Sequence, residues 1–349
     1  MSKIYVSTRA YNAEKTIGRA IESILNQTHT NWVYYICNNG STDATGDIIE
    51  AYAKKDSRIK TFHNKENWVF NDETKQFNSF MHHLSAHEYW CLLDADDAYI
   101  NSFMEKSLSY LEKNALDLVV TNHQKIDTTT GHTKIHGLPD HLIITLDHFT
   151  TTTWIYVATH MWAILYTAHA LKNYEYSPIN LSSATDTYFI WEVIKNCNRI
   201  GFLAEPLYQY YRYGKDEQTT MHRQKFNPNR IKANDILIEK LDTILQRNTS
   251  NVIDIEFVCY KSYSIFLTGI LHSLSLATDN PAKKLDYATQ LLFDKRLEPA
   301  IIILKNGIIT EHVLNHFSQI LHQASKVMKG KSMDKAMRRL HQLQQLQKR

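Results

Sequence analysis

Short apolar runs alternate with amphipathic helices through the first 121 residues, and that rhythm leaves few folds open. Residues 3–7 and 33–37 are rich in β-branched and aromatic side chains and read as strands. Between them Ile17, Ala20, Ile21, Ile24 and Leu25 recur at the spacing of one helical face. Strand, helix and strand in that order imply a parallel pair joined by a right-handed crossover. The unit then repeats. Ser41-Thr42-Asp43 fits the start of a helix over about 44–55, ahead of a third strand at 59–62. A helix near 75–85 leads to a fourth strand at 89–93, and a helix near 101–113 to a fifth at 116–121. The expectation is an α/β fold, Rossmann-like, with a mostly parallel sheet flanked by helices.

Beyond residue 121 the rhythm changes. Residues 122–160 carry many Thr and His, with a loop region around Gly131, Gly137 and Pro139. Aromatic residues dominate 160–213. After Asn227-Pro228 the chain reads as helical almost to its end, with Ile231, Ile238, Leu241 and Leu245 on one face and a restart at Asp279-Asn280-Pro281. A length of 349 residues exceeds what one core usually holds, so two or three units are expected.

A net charge of +3 is too balanced to make nucleic acid the main partner. The four cysteines show no CxxC pair and no metal spacing, so they read as free thiols in a reducing compartment. No secretory signal opens the sequence, and no apolar stretch approaches the ~20 residues a membrane helix needs. A cytoplasmic protein is expected, with contact at the inner face of the membrane left open. The last 24 residues hold eight Lys and Arg against Asp334, with Met333, Met337, Leu340 and Leu343 on roughly one face. That segment reads either as a peripheral membrane contact or as a helix that packs or pairs with a second copy in a homodimer.

In a parallel α/β sheet, ligands bind beyond the carboxyl ends of the strands. The first strand ends in Ser7-Thr8-Arg9-Ala10-Tyr11-Asn12, the second in Asn38-Asn39-Gly40-Ser41, and the fourth in Asp94-Ala95-Asp96-Asp97. Three acids within four residues repel one another unless a cation or a proton intervenes. Hard oxygen donors select Mg²⁺ or Mn²⁺, which in turn hold pyrophosphate. The plainer reading is a turn with Asp97 or Asn101 capping the next helix. Tyr11 is either a packing ring or a platform for a base, and Asn38 and Asn39 are either turn residues or partners for a base edge. Asp186 falls in the first turn of a helix, where it either offsets the helix dipole or does chemistry.

These segments resemble the family 2 glycosyltransferases with the GT-A fold over about residues 3–213. Tyr11-Asn12-Ala13-Glu14 and Ser23-Ile24-Leu25-Asn26-Gln27-Thr28 look like the family's opening strand and helix. Asn38-Asn39-Gly40-Ser41-Thr42-Asp43 looks like its second tip, Leu93-Asp94-Ala95-Asp96-Asp97 like its DxD, and Thr185-Asp186 like its later acidic dipeptide. Glu205-Pro206-Leu207-Tyr208-Gln209-Tyr210-Tyr211-Arg212 looks like its proline-aromatic-arginine segment. Departures are Arg9 for a usual Pro, Asn38-Asn39 for an acidic pair, Phe77 for an Arg, Gly214 for a His, and a single acid at 185–186.

The resemblance implies a GT-A domain over 1–220, its nucleotide-sugar half at 1–100 and its acceptor half at 101–220, followed by an all-helical region at 221–349. It implies an inverting glycosyltransferase moving a sugar from a nucleoside diphosphate, uridine diphosphate being the expected carrier, to a saccharide or lipid-linked saccharide in surface polysaccharide or glycoconjugate synthesis. Asp96 would hold Mn²⁺ or Mg²⁺. Thr8, Arg9, Tyr11, Asn38, Asn39, Asp94 and Ala95 would bind the donor, and Asp186 would act as general base. Apart from the resemblance, Trp154, His160 and Trp162 precede Asp186 in sequence and either line an acceptor cleft, where aromatic faces suit sugar rings, or are core or surface aromatics. A non-catalytic sugar-nucleotide-binding or scaffold protein and a metal-dependent nucleotidyltransferase are the alternative readings.

Overall fold

Four parallel strands form one side of the sheet, because helices carry the chain back across it between them. The structure, a computed structural model, describes residues 2–67, 79–145, 160–172, 185–213, 226–245, 255–304 and 308–348. Lys3–Ala10 (β1), Trp32–Asn39 (β2), Ile59–Asn64 (β3) and Glu88–Leu92 (β4) lie in the order β3-β2-β1-β4. Val6 pairs with Tyr34 on one side and Cys91 on the other. The helix Ile17–Leu25 (α1) buries Ile17, Ala20, Ile21 and Ile24, the face its spacing predicts. Its end is fixed by Gln27, which donates to the Ile100 carbonyl at 2.8 Å and accepts from the Met104 N–H at 3.0 Å. Met104 opens the helix Phe103–Lys113 (α3), so one buried amide joins two helices. The second helix, Thr45–Ala53 (α2), starts where Asp43 accepts the Thr45 N–H at 3.0 Å.

The sheet continues as β4-β9-β6-β10-β5. Ile164–Thr167 (β9) runs antiparallel between β4 and Leu118–Asp127 (β6) and leads into the short helix Ala168–Leu171 (α4). The long strand Arg199–Arg212 (β10) is parallel to β6 and carries the two-residue Ala98–Tyr99 (β5) at its edge. Thr133–His136 (β7) and Leu142–Thr145 (β8) add antiparallel edges. The expected strands are therefore present, and β3, β2, β1, β4, β6 and β10 all point one way. The register of β10 slips on both sides of Pro206, which has no N–H for the ladder, and the bulge re-aims the strand before Tyr208.

The Thr- and His-rich stretch read as a loop region holds the end of β6 and all of β7 and β8. The end of β6 is mostly half-buried, β7 is largely exposed and β8 buries only Ile144, so no apolar alternation marks them. A helix near 75–85 is replaced within the described residues by a single 3₁₀ turn at Ser79–His83. Residues 68–78, and with them Phe77, lie outside the described residues, as do Trp154 and Gly214.

The chain divides into two units, residues 1–180 with 186–219 and residues 181–185 with 220–349. The second is helical. Asn229–Leu245 (α6), Ile255–Leu276 (α7), Pro281–Leu292 (α8), Leu297–Leu304 (α9), Ile308–Ser325 (α10) and Lys331–Gln347 (α11) share a core that includes Tyr263, Leu271, Phe317 and Leu321. The helix α8 restarts as expected, with the Asn280 side chain accepting from the Lys283 N–H at 2.9 Å. In α11, Met333, Leu340 and Leu343 are buried with Ala336, whereas Met337 is 44% exposed. The expected stripe is thus off by one residue, because around the helix Ala336 lies nearer than Met337 to the mean direction of Met333, Leu340 and Leu343.

Gly40 sits at φ +74, and a Cβ there would lie 2.4 Å from the Glu66 main chain. Gly40→Ala should cost roughly 1–3 kcal/mol of stability. Chemical denaturation reads this directly, and an unchanged midpoint would contradict the strained, close-packed turn.

Candidate active site

Polar strand tips collect where the strand order reverses beside β1, the place that binds ligands in open α/β sheets. The loops after β1 and β2 are laced together. The Asn12 N–H donates to Ser41 Oγ at 3.0 Å, and Asn12 Oδ1 accepts the Thr42 N–H at 2.9 Å. Asn12 adopts a positive φ, which its short amide tolerates. This lacing leaves the neighbouring Tyr11 ring 43% exposed at the tip.

Asn38 Oδ1 accepts the Ser41 N–H at 3.1 Å, and its Nδ2 lies 3.3 Å from His63 Nδ1. A Cβ on Gly46 would come within 2.7 Å of that same nitrogen, so the helix α2 leaves room for the amide. Asn39 is buried, donates to Asn67 Oδ1 at 2.7 Å and accepts from Asn64 Nδ2 at 2.8 Å. Thr8 is fully buried, donates to the Leu93 carbonyl at 2.6 Å and lies 2.7 Å from the Tyr34 hydroxyl. These last two side chains therefore tie strands together, and Tyr11 and the partly buried Asn38 are the ones left at the surface.

After β4 the chain turns tightly, the Asp97 N–H donating to the Asp94 carbonyl at 3.2 Å. The three acids then differ. Asp97 is buried, accepts the Tyr208 hydroxyl at 2.7 Å and the Tyr211 N–H at 2.8 Å, and caps no helix. Asp94 and Asp96 are partly buried, and their carboxylates hydrogen-bond to no other described residue. Ala95 packs on the core between them. Asp186, in the helix Thr185–Ile194 (α5), comes close enough for its charge to act on Asp94.

Electrostatics follow from this crowding. Loss of water pushes the Asp94 carboxyl well above the usual range, and repulsion from Asp97, Asp186 and Asp96 pushes it further, with Arg9 opposing. Asp97 rises to about 7 through burial and the charge of Asp96, although Tyr211, Tyr208 and Arg19 hold it down. Asp96 is raised by desolvation against the pull of Arg19. Desolvation also raises the Asp186 carboxyl, with Arg9 opposing. Arg9 is itself exposed between these acids.

An aromatic stack continues from the acid tip. Tyr208, bonded to Asp97, lies parallel to Trp162 at 4.7 Å, and Trp162 stacks on His160 at 4.1 Å and on Tyr210 at 5.6 Å. His123 packs edge-on against Trp162 and faces His136. Burial drops His160 to about 3 and His123 to about 4, so both rings are neutral at ordinary pH. Trp162 is partly exposed and His160 is buried beneath it. Sequence reading missed Arg19, His123 and His136, and it named Tyr208 only within the proline-aromatic-arginine segment, without its role at Asp97. Arg19 lies off the apolar stripe of α1 and reads as a plain surface cation. The tyrosine and histidines sit on strands whose register no local pattern fixes.

Among the described residues no group of three His, Cys, Asp or Glu could close around a metal. The donor set instead fits a cation shared with a ligand, since Mg²⁺ is typically held by one or two carboxylates plus substrate phosphates and water. Asp94 and Asp96 supply hard, unpaired oxygens in a place where added positive charge relieves repulsion.

The fold is that of a GT-A type domain followed by helices. Residues 6–170 match the family model of glycosyl transferase family 2, and the family resemblance stands on that match. An uncharacterized glycosyltransferase of Haemophilus influenzae is 42% identical over 105 residues, 30% of this chain and 31% of the relative. The Escherichia coli UDP-Glc:alpha-D-GlcNAc-diphosphoundecaprenol beta-1,3-glucosyltransferase WfgD is 30% identical over 121 residues, 35% of this chain and 46% of that protein. The chain aligns with less than half the length of these curated relatives. The crystal structure of S. aureus TarS 1-349 in complex with UDP superposes with a TM-score of 0.61 at 17% identity, covering 98% of this chain and 91% of that one. That likeness extends the shared fold through the helical region.

An aspartate in an unfolded chain titrates near 4. From about 4 to about 7 the folded protein keeps a proton on Asp97 that the unfolded chain has released, so stability falls as pH rises through that window. Asp97→Asn should flatten this fall. Thermal unfolding from pH 5 to pH 8 in chelator tests it, and parallel curves for the two proteins would contradict the assignment.

Proposed function

We propose that this chain is an inverting glycosyltransferase that moves a sugar from a nucleoside diphosphate, uridine diphosphate in the first instance, to a saccharide acceptor. The observation that carries the reading is the meeting of Asp94, Asp96 and Asp186 after β4, in a sheet whose first strand ends at an exposed Tyr11. Tyr11 offers a face on which a base stacks, and Asn38 offers an amide at its edge. Asp96, with Asp94 beside it, would hold Mg²⁺ or Mn²⁺, which when bound neutralises charge developing on a departing diphosphate. Arg9 adds fixed positive charge at the same tip.

Asp186 takes the proton from the attacking acceptor hydroxyl. Its raised carboxyl suits that role, because a base works best with a pKa lifted toward the operating pH. Attack on the face opposite the leaving diphosphate inverts the anomeric centre. The partly exposed Trp162 and Tyr210 offer ring faces to the acceptor sugar, with His160 as backing and the neutral His123 nearby. The similarity to WfgD, a glucosyltransferase named for an alpha-D-GlcNAc-diphosphoundecaprenol acceptor, makes a lipid-linked saccharide the first to test.

A lipid-linked acceptor also gives the basic tail a role. Lys326, Lys329, Lys331, Lys335 and Arg338 are exposed around Val327 and Met337, while Arg339 is held by Glu298. With its apolar stripe in the core, α11 presents cations on a firm support, each contributing about 1 kcal/mol at an anionic leaflet. Among the described residues no helix is long and apolar enough to cross a membrane.

Two outcomes are expected. Asp186→Asn should lower kcat by about 10²–10⁴ with donor KM nearly unchanged, because the amide keeps the shape and cannot accept the proton; a change confined to KM would make Asp186 a binding residue. Replacing Lys331, Lys335 and Arg338 by Gln should abolish salt-sensitive co-sedimentation with phosphatidylglycerol vesicles, and equal binding by both proteins would remove the membrane role.

A further inference from the structure

Two arginines act on the acid tip, and they do so differently. Arg9 faces Asp94 and Asp186. Arg19 comes from the middle of α1, and its guanidinium donates to the main-chain carbonyl of Asp96 at 2.5 Å and to the Tyr213 hydroxyl. The Tyr213 hydroxyl donates to the same carbonyl at 3.1 Å. The guanidinium also lies 3.7 Å over the ring of Tyr211, whose N–H holds Asp97. One side chain thus gathers three segments distant in sequence: α1, the turn after β4 and the end of β10.

We propose that Arg19 is a positioning residue that sets how tightly the acid tip holds a divalent cation with its diphosphate, by clamping the Asp96 main chain between α1 and the end of β10. The proposal rests on the reading of this tip as a cation and diphosphate site. Its logic lies in which oxygen Arg19 uses. A bond to the Asp96 carboxylate would consume lone pairs that a cation needs. A bond to the carbonyl brings positive charge near both acids and leaves those lone pairs open. The flat guanidinium donates along its edge and stacks by its face at once, which an ammonium cannot do.

Docking of α1 does not depend on this contact. Ile17, Ala20, Ile21 and Ile24 are buried under it, Ser23 Oγ accepts the Tyr99 N–H at 3.2 Å, and Gln27 anchors its end. Arg19 is therefore placed to order the tip more than to hold the helix.

Mn²⁺ titration of the full chain in the presence of uridine diphosphate, read from the free Mn²⁺ resonance signal, tests the proposal. Arg19→Gln should weaken Mn²⁺ binding by about 10–100-fold, the usual effect of removing a group that orients metal ligands, with a melting temperature close to that of the unaltered protein. Arg19→Lys should recover only part of the loss. Tyr213→Phe, which keeps the ring and loses the hydroxyl, should weaken binding severalfold even if the Gln variant fails to fold. Unaltered Mn²⁺ affinity in Arg19→Gln or in Tyr213→Phe, with binding by the parent intact, overturns the clamp alone. No Mn²⁺ binding by the parent in the presence of the nucleotide overturns the functional reading and the clamp with it.

Discussion

Mutual repulsion among Asp94, Asp96 and Asp97 is the constraint around which the sheet unit is arranged. Like charges this close, partly stripped of water, favour protonation, and they favour rearrangement unless the surrounding chain resists it. The end of β10 resists rearrangement and offsets part of the rise at Asp97. Pro206 breaks the ladder, the strand swings, and Tyr208 and Tyr211 meet the two oxygens of Asp97. Asp97 thereby becomes a structural acid that pins the turn. Asp94 and Asp96 keep unpaired oxygens, which is the condition a cation with its diphosphate requires. One bulge thus links sheet register to the chemistry available at the tip.

The opposite wall of the site is built from smaller groups with equal economy. Gly40 passes close to Glu66 where a Cβ would not fit, and Asn12 takes a positive φ to lace the first loop to the second. Thr8 and Asn39 spend their polar atoms within the protein, so that Tyr11, Arg9 and Asn38 remain at the rim. Substituting two amides for the acidic pair usual in similar sequences removes charge from this wall. Arg9 adds some of the opposite sign. Both changes favour an anionic ligand beside an acid tip that would otherwise repel it. The aromatic stack through Trp162 then extends the same site away from the acids with neutral rings.

Much of this was legible in the sequence, and the limits have physical causes. The five forward strands and α1 were readable because half-buried helices and buried strands impose strong periodicity on Ile17, Ala20, Ile21 and Ile24 and on the runs at 3–7 and 89–93. The acids at 94–97 were readable because such clustering is costly without a use. The edge β7 was not, since an exposed strand of Thr, Lys and His carries no alternation, and the four-residue apolar runs of β8 and the buried, antiparallel β9 are too short for periodicity to mark them. The roles inside the cluster were also hidden. Nothing local distinguishes Asp97, which is consumed by Tyr208, from Asp96, which is not, because the partner lies more than a hundred residues away. Arg19 reads as a surface cation for the same reason. In α11, replacing Met337 by Ala336 in the buried stripe follows from helical phase and required only a finer reading.

The claim at the centre of this account is that the tip of β4 works on a nucleotide sugar through a bound divalent cation. Release of uridine diphosphate from a panel of uridine-diphosphate sugars, followed with Mn²⁺ and then with excess chelator, tests it most directly. The account predicts release from at least one sugar with Mn²⁺, stimulated by an acceptor saccharide, and its loss both in chelator and in Asp96→Ala protein that remains folded. Release that continues undiminished in chelator, or in Asp96→Ala, would contradict it.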